Sequence, residues 1–401
     1  MEKFIGGGKK VRSGKKAKFN IILLLFIVLS SACSSSEEQS ILAVSNNNIL
    51  NSANEANNFY ESMYVDRKRE YKPYENSYKE ELVEYKGTVN HIFFHPLIIY
   101  PEKAFDGDYL SEGYNDWFVT VKEFKKIIES LYQKGYMLID INDTFDAAEI
   151  AGRKMLREKR LMLPKGKKPL IISIDDMNYY EYMINNGNAH KLVIDDNEIV
   201  KTYSKDKNGQ SVISNDNDIV PILDDFVSEH PDFSLEGAKG IIALTGYEGI
   251  LGYRTNNIKS LTYENEKREA VNLVNRLKST GWTFACHGYG HLDAYKIDIS
   301  RLMRDTNRWK SEVEPLIGPT SVYIYPFGST VNYTDPKFKF LMDKGFDVFC
   351  GVGPETITEY KKDCIITDRR PIDGISLNYP KRLADLFDCN SVIDNVRPDK
   401  Y

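Results

Sequence analysis

From about residue 88 to the end of the chain, apolar runs alternate with amphipathic stretches, a pattern that predicts strands followed by helices. Residues 91–99 read as a buried strand. Over residues 121–135, Phe124, Ile127, Ile128 and Leu131 recur at helical spacing, and Gly135 closes that face. Further strands are predicted at 136–140, 169–174, 240–244, 283–286, 322–325 and 348–350, with helices at 265–281, 300–317 and 336–345. Helix, glycine, strand recurs at Gly135, Gly281 and Gly345, which is the punctuation of parallel strands joined by crossover helices. A doubly wound sheet would carry a glycine-rich phosphate loop after an early strand, and this sequence has none there. The expectation is therefore an α/β barrel with its active residues at strand C-termini. Residues 176–239 interrupt the rhythm. Within them 195–218 is polar, broken only by Val212 and Ile213, and is expected as a hairpin or loop inserted over the barrel rim.

Upstream of residue 88 the pattern changes. The first 32 residues carry Lys3, Lys9, Lys10, Arg12, Lys15, Lys16 and Lys18 against Glu2 alone. That is +6 within a chain of net charge −5, so the remainder carries −11. A surface so acidic argues against nucleic acid as a partner. The basic stretch runs into the apolar residues 21–29 and then Ser30, Ser31, Ala32 and Cys33, the three-part pattern of a secretory signal. The apolar run falls short of the roughly 20 residues that span a bilayer. Leu29-Ser30-Ser31-Ala32-Cys33 resembles the lipobox of bacterial lipoproteins, which implies a lipid-anchored protein at the outer face of the cell membrane. The alternative is a conventional secretory signal with an incidental Cys33. The expected order is a leader over 1–32, a disordered tether over 33–58, an optionally helical lead-in over 59–87 and one domain over 88–401. The remaining cysteines, Cys286, Cys350, Cys364 and Cys389, form no C-x-x-C pair and are expected as free buried thiols.

The candidate chemistry lies at strand ends. Ile171-Ile172-Ser173-Ile174 runs into Asp175-Asp176, and Phe284-Ala285-Cys286 runs into His287-Gly288-Tyr289-Gly290-His291. Two imidazoles four residues apart can converge on one ion with a carboxylate, leaving positions open for water. An isolated Asp-Asp is more often a solvated turn or cap, and an isolated H-x-x-x-H more often structural. Their joint placement at strand ends favours a site.

Taken together these segments resemble the polysaccharide deacetylases (carbohydrate esterase family 4, the NodB-homology domain). Ser173-Ile174-Asp175-Asp176 is similar to the family's first motif and His287-Gly288-Tyr289-Gly290-His291 to its second. Tyr325-Pro326-Phe327-Gly328 is similar to its third, and Gly345-Phe346-Asp347-Val348-Phe349 to the strand after its last barrel helix. The resemblance covers roughly residues 88–380 in the family's order. It implies an irregular (β/α) barrel in which Asp175 is the general base. By the same likeness Asp176, His287 and His291 hold a divalent ion, Zn²⁺ or Co²⁺, and Tyr325, Pro326 and Phe327 face the substrate, the Phe327 N–H at the oxyanion. Two positions depart from the pattern. Ile324 replaces the arginine that tethers the base, and no histidine follows His291 to act as general acid. Arg254, Arg370 and Asp373 are the candidates for the tether and His95 for the acid.

The implied activity is hydrolysis of N- or O-acetyl groups on a cell-surface or exported polysaccharide, such as peptidoglycan or an amino-sugar polymer. Two alternatives stand beside it: a glycan-binding module without turnover, and a metal amidohydrolase acting on a non-sugar C–N bond. Tyr179, Tyr180 and Tyr182 serve equally well as sugar-stacking rings or as packing. The glycines of 245–254 suit a substrate-side loop.

Overall fold

The computed structural model describes residues 81–150 and 153–398. The leader, Cys33, the tether and most of the lead-in lie outside the described residues. Where the lead-in becomes describable it is extended rather than helical, with Leu82–Glu84 pairing antiparallel with Met162–Pro164.

Eight parallel strands carry the fold: β1 (Asn90–Phe94), β2 (Tyr136–Leu138), β3 (Lys168–Asp175), β4 (Gly240–Leu244), β5 (Trp282–Cys286), β6 (Val322–Ile324), β7 (Val348–Val352) and β8 (Ile365–Pro371). Seven of them close a barrel in the order β3-β4-β5-β6-β7-β8-β1, with β1 pairing back onto β3. Strand β2 pairs with the first residues of β3, Tyr136 opposite Lys168, on the side that β4 takes further along. The crossover helices are α1 (Val121–Gln133), α2 (Ile219–Glu229), α3 (Tyr263–Ser279), α4 (Ile299–Glu312) and α5 (Pro336–Asp343). Thr120 and Glu123 close a capping box at the start of α1.

Alternation along the strands builds two cores. Ile92, Phe94, Ile172, Ile174, Ile242, Leu244, Phe284 and Phe349 face outward and pack with helix residues such as Phe124, Ile127, Val274 and Leu277. The opposite parity, Ile171, Ile241, Ala243, Ala285, Val322, Ile324, Val348 and Cys350, fills the barrel. Met137 from β2 and Ile139 just after it, with Phe145 and Leu156 from the following hairpin and Leu161 and Leu163 beyond it, join that inner core and plug the N-terminal end. Each buried Val, Leu, Ile, Phe or Met among them stabilises the fold by about 1.5–3 kcal/mol on leaving water.

The expected barrel is present, and so is an inserted segment. The insertion is a three-stranded antiparallel sheet, Lys191–Ile194, Val200–Lys205 and Ser211–Ser214, that packs on α2 and α3. Its central strand buries Val200, Thr202 and Ser204 on one face. Strand β8, absent from the sequence reading, completes the closure. Cys286, Cys350, Cys364 and Cys389 are free and buried, as expected.

Candidate active site

Asp175 is the last residue of β3 and shares the inner parity of Ile171 and Ser173, so its carboxylate sits in the mouth of the barrel. It is 3% exposed, and burial alone would raise its pKa. The Arg369 guanidinium, with His287 beside it, overrides that and holds the carboxyl well below the usual carboxylate range. Arg369 Nη1 and Nη2 donate to Asp175 Oδ1 and Oδ2 at 2.7 and 2.9 Å, a two-pronged ion pair. Arg369 is fully buried and lies over the Phe93 ring, its guanidinium carbon 4.2 Å from the centroid. It also donates to Ser173 Oγ at 3.0 Å, and Ser173 Oγ lies 3.1 Å from His91 Nε2.

This corrects the expected tether. Arg370 follows Arg369 on β8 and therefore faces the other way, into a pair with Asp385 at 2.7 Å and a bond to Asn90. Arg254 donates to the carbonyls of Glu248 and Tyr179 and stitches rim loops together. Asp373 caps the short helix Gly374–Leu377. The residue that holds Asp175 stands on β8, where only the parity of an unrecognised strand could have revealed it.

Asp176 would point away from Asp175 if the strand continued. Instead its φ of +59° turns the chain, and its carboxylate returns over the mouth. Tyr180 donates to Asp176 Oδ1 at 2.6 Å, and Oδ2 lies 3.6 Å from His291 Nε2. His287 Nδ1 lies 2.8 Å from the Ile324 carbonyl, which can only accept; Nδ1 thus carries a proton and Nε2 is the ring nitrogen left to face the site. His291 has a φ of +51°, and its ring is 5.0 Å from that of His287. Burial lowers the His291 pKa, against the opposing pull of Asp176. For Asp176, burial pushes upward, but His291 and His287 hold it below its ordinary value. One ligand atom from each of Asp176, His287 and His291 lies within 4.8 Å of the others. Carboxylate and imidazole bonds of about 2.0–2.2 Å allow a single divalent ion to draw such a set together, and the donor chemistry suits Zn²⁺.

The remaining predicted residues divide. His95 Nδ1 lies 3.1 Å from the Trp117 carbonyl, and the ring interacts electrostatically with Asp175, Asp176 and His291. Phe327 is left-handed at φ +59°, 67% exposed, and its ring lies 4.4 Å from His291. Pro326 is buried behind it. Tyr325 is not at the surface: its ring is buried against Tyr323 and Phe349, because strand parity turns it into the outer core. Tyr179 and Tyr180 are also packing residues, bonded to Asp218 and Asp176, while Tyr182 keeps an exposed face beside Tyr180.

No family model matches the chain, and no curated protein does. Among solved structures it is similar to a polysaccharide deacetylase from Bacillus cereus, at 16% identity over 77% of this chain and 69% of that one, TM-score 0.41. It is similar to a Streptococcus pyogenes deacetylase in complex with acetate, at 13% over 73% and 94%, TM-score 0.39. A de-N-acetylase from Aggregatibacter actinomycetemcomitans is similar at 13% over 71% and 95%, TM-score 0.42. At these scores the likenesses decide nothing by themselves, and the chemistry of the site follows from its own side chains.

Proposed function

We propose that the protein is a metal-dependent hydrolase that removes N- or O-acetyl groups from a cell-surface or exported polysaccharide. One observation carries the reading: a buried carboxylate, Asp175, kept ionised by Arg369, stands beside the Asp176–His287–His291 triad at the mouth of a closed barrel. A divalent ion in the triad, Zn²⁺ or Co²⁺, would supply Lewis acidity and lower the pKa of a bound water. Asp175 takes the proton of the attacking water as oxygen adds to the acetyl carbonyl. The C–N or C–O bond then breaks, and the departing nitrogen or oxygen collects a proton, for which His95 is the candidate donor. The Phe327 N–H is the candidate partner for the oxyanion. Residues 88–401 form the catalytic domain in this reading, held by lipid on Cys33 at the outer membrane face.

The rival reading of a glycan-binding module without turnover rests on two departures, the missing third-motif arginine and the missing late histidine. Arg369, paired with Asp175, answers the first of them. A non-sugar amide remains the second substrate class, against which the exported address argues.

Acetate release from chitin oligomers, peptidoglycan and acetylated xylan tests the proposal, with wild type compared against a chelated sample and Asp175→Asn. Release that vanishes in both, and returns to the chelated sample with Zn²⁺ or Co²⁺, supports it. Folded, metal-loaded protein that frees no acetate from any of them would remove it in favour of binding or a non-sugar amide.

A further inference from the structure

The loop between the two histidines is not held by its own side chains. Asp305, in the middle of α4, accepts from the backbone N–H of Tyr289 at 2.7 Å through Oδ2 and from that of Gly290 at 2.8 Å through Oδ1. Glycine eases the approach: a Cβ on Gly288 would stand 3.1 Å from Asp305 Oδ2, and one on Gly290 would stand 3.2 Å from Oδ1, both tighter than ordinary contact. The same helix grips Tyr289 twice more. Its hydroxyl donates to Glu312 at 2.7 Å, and the Arg308 guanidinium lies 4.0 Å from its ring centroid. Helix α4 is in turn pinned to the barrel by Trp309 Nε1, which donates to the Leu244 carbonyl at the end of β4 at 2.8 Å.

Tyr289 also connects to the third member of the triad. Its carbonyl accepts from the N–H groups of Gly246 and Tyr247 at 2.9 and 3.1 Å. The Tyr247 ring stacks on Tyr180 at 4.6 Å, and Tyr180 donates to Asp176. A path of hydrogen bonds and stacked rings thus runs from Asp305 through the histidine loop to Asp176.

We propose that Asp305 is the positioning residue of the metal site, presetting the backbone between His287 and His291 so that both imidazoles face one ion before it arrives. This rests on the proposed metal reading. Outer-shell partners of metal ligands typically set affinity by about 10- to 100-fold. Asp305→Ala removes both acceptors, whereas Asp305→Asn keeps the shape and only one of them.

The test titrates metal-free protein with Zn²⁺ in competition with a chromophoric chelator, for wild type, Asp305→Ala and Asp305→Asn. Circular dichroism and amide exchange at Tyr289 and Gly290 are followed in parallel. The expected result is an affinity loss of about 10- to 100-fold for Ala and a smaller loss for Asn, with faster exchange at both amides in a folded protein. A folded Asp305→Ala that binds Zn²⁺ as tightly as wild type overturns the proposal, as does a variant that loses thermal stability alone. If Asp305→Ala does not fold, unchanged affinity in Asp305→Asn overturns it. Wild type that binds no Zn²⁺ removes the metal reading itself and this proposal with it, an outcome distinct from the others.

Discussion

The two ends of the barrel are made from the same strands but solve the backbone problem differently. At the floor the chain enters β2, β3, β4, β5 and β7 through left-handed turns at Gly135, Gly166, Gly237, Gly281 and Gly345. Glu236, beside Gly237, is the one non-glycine with positive φ among the described floor turns. At the mouth, left-handed glycines such as Gly249, Gly252, Gly288 and Gly328 are interleaved with left-handed Asp176, Tyr179, Leu251, His291 and Phe327. Glycine adopts this conformation without steric cost, whereas another residue gives up about 1–2 kcal/mol. The floor needs only the shape of the turn. The mouth needs the side chain as well, and accepts the strain.

The largest expected effect falls on the mouth. Asp175→Asn should lower kcat for deacetylation by about 10²- to 10⁴-fold while leaving Zn²⁺ affinity near wild type, read by acetate release and metal titration. An Asn variant as active as wild type would break the functional side of the comparison. The floor should respond in stability alone. Leu163→Ala, at a plug position 1% exposed, should cost about 3 kcal/mol in urea unfolding and leave kcat unchanged in the folded fraction.

Between the two ends lies Asp218, which caps α2 and accepts from the Leu97 N–H and the Tyr179 hydroxyl beneath the mouth. Burial pushes its pKa up to about 6, although the N–H groups of Ile219 and Leu97 and the Tyr179 hydroxyl pull downward. The folded protein thus holds this proton more tightly than the unfolded chain, where the group titrates near about 4. The corresponding stability is complete below about pH 4 and lost as pH rises through about 6. Urea unfolding from pH 4 to 7 should show wild type losing on the order of 2 kcal/mol relative to Asp218→Asn. A difference that stays flat across that range would contradict the assignment.

The smallest effect is the most direct test of strain. Phe327→Gly should raise stability by about 1 kcal/mol and yet reduce deacetylation, because it relaxes the backbone and deletes the ring beside His291. Loss of both stability and activity would mean that the left-handed turn stores no strain.

Much of the floor and half of the mouth were legible in the sequence. Long apolar runs such as 169–174 and 240–244 mark strands buried on both faces, and His287 and His291 stand four apart at a strand end where two rings can meet. Arg369 escaped notice for a physical reason. Residues 365–371 alternate Ile365, Thr367 and Arg369 on one face with Ile366, Asp368 and Arg370 on the other, since the barrel interior turns from apolar to charged along its own axis. Neither face reads as the inside, so the pattern does not single out Arg369 over Arg370. The tyrosine behind Asp176 and the aspartate behind the histidine loop were out of reach too, because spacing along the chain does not reveal partners from other elements.

The barrel closes where β8 meets β1, and that seam is short: Arg370 aligns with Ile92 and Pro371 with Phe93. Residues some 280 positions apart must find each other to make it. Loop-closure entropy makes such long-range pairing slow, so this seam is expected among the last contacts formed in folding. Arg369 travels with that strand. A chain caught before closure has therefore not yet brought the cation to Asp175, and the arrival of the carboxylate's partner doubles as a checkpoint on the completeness of the fold.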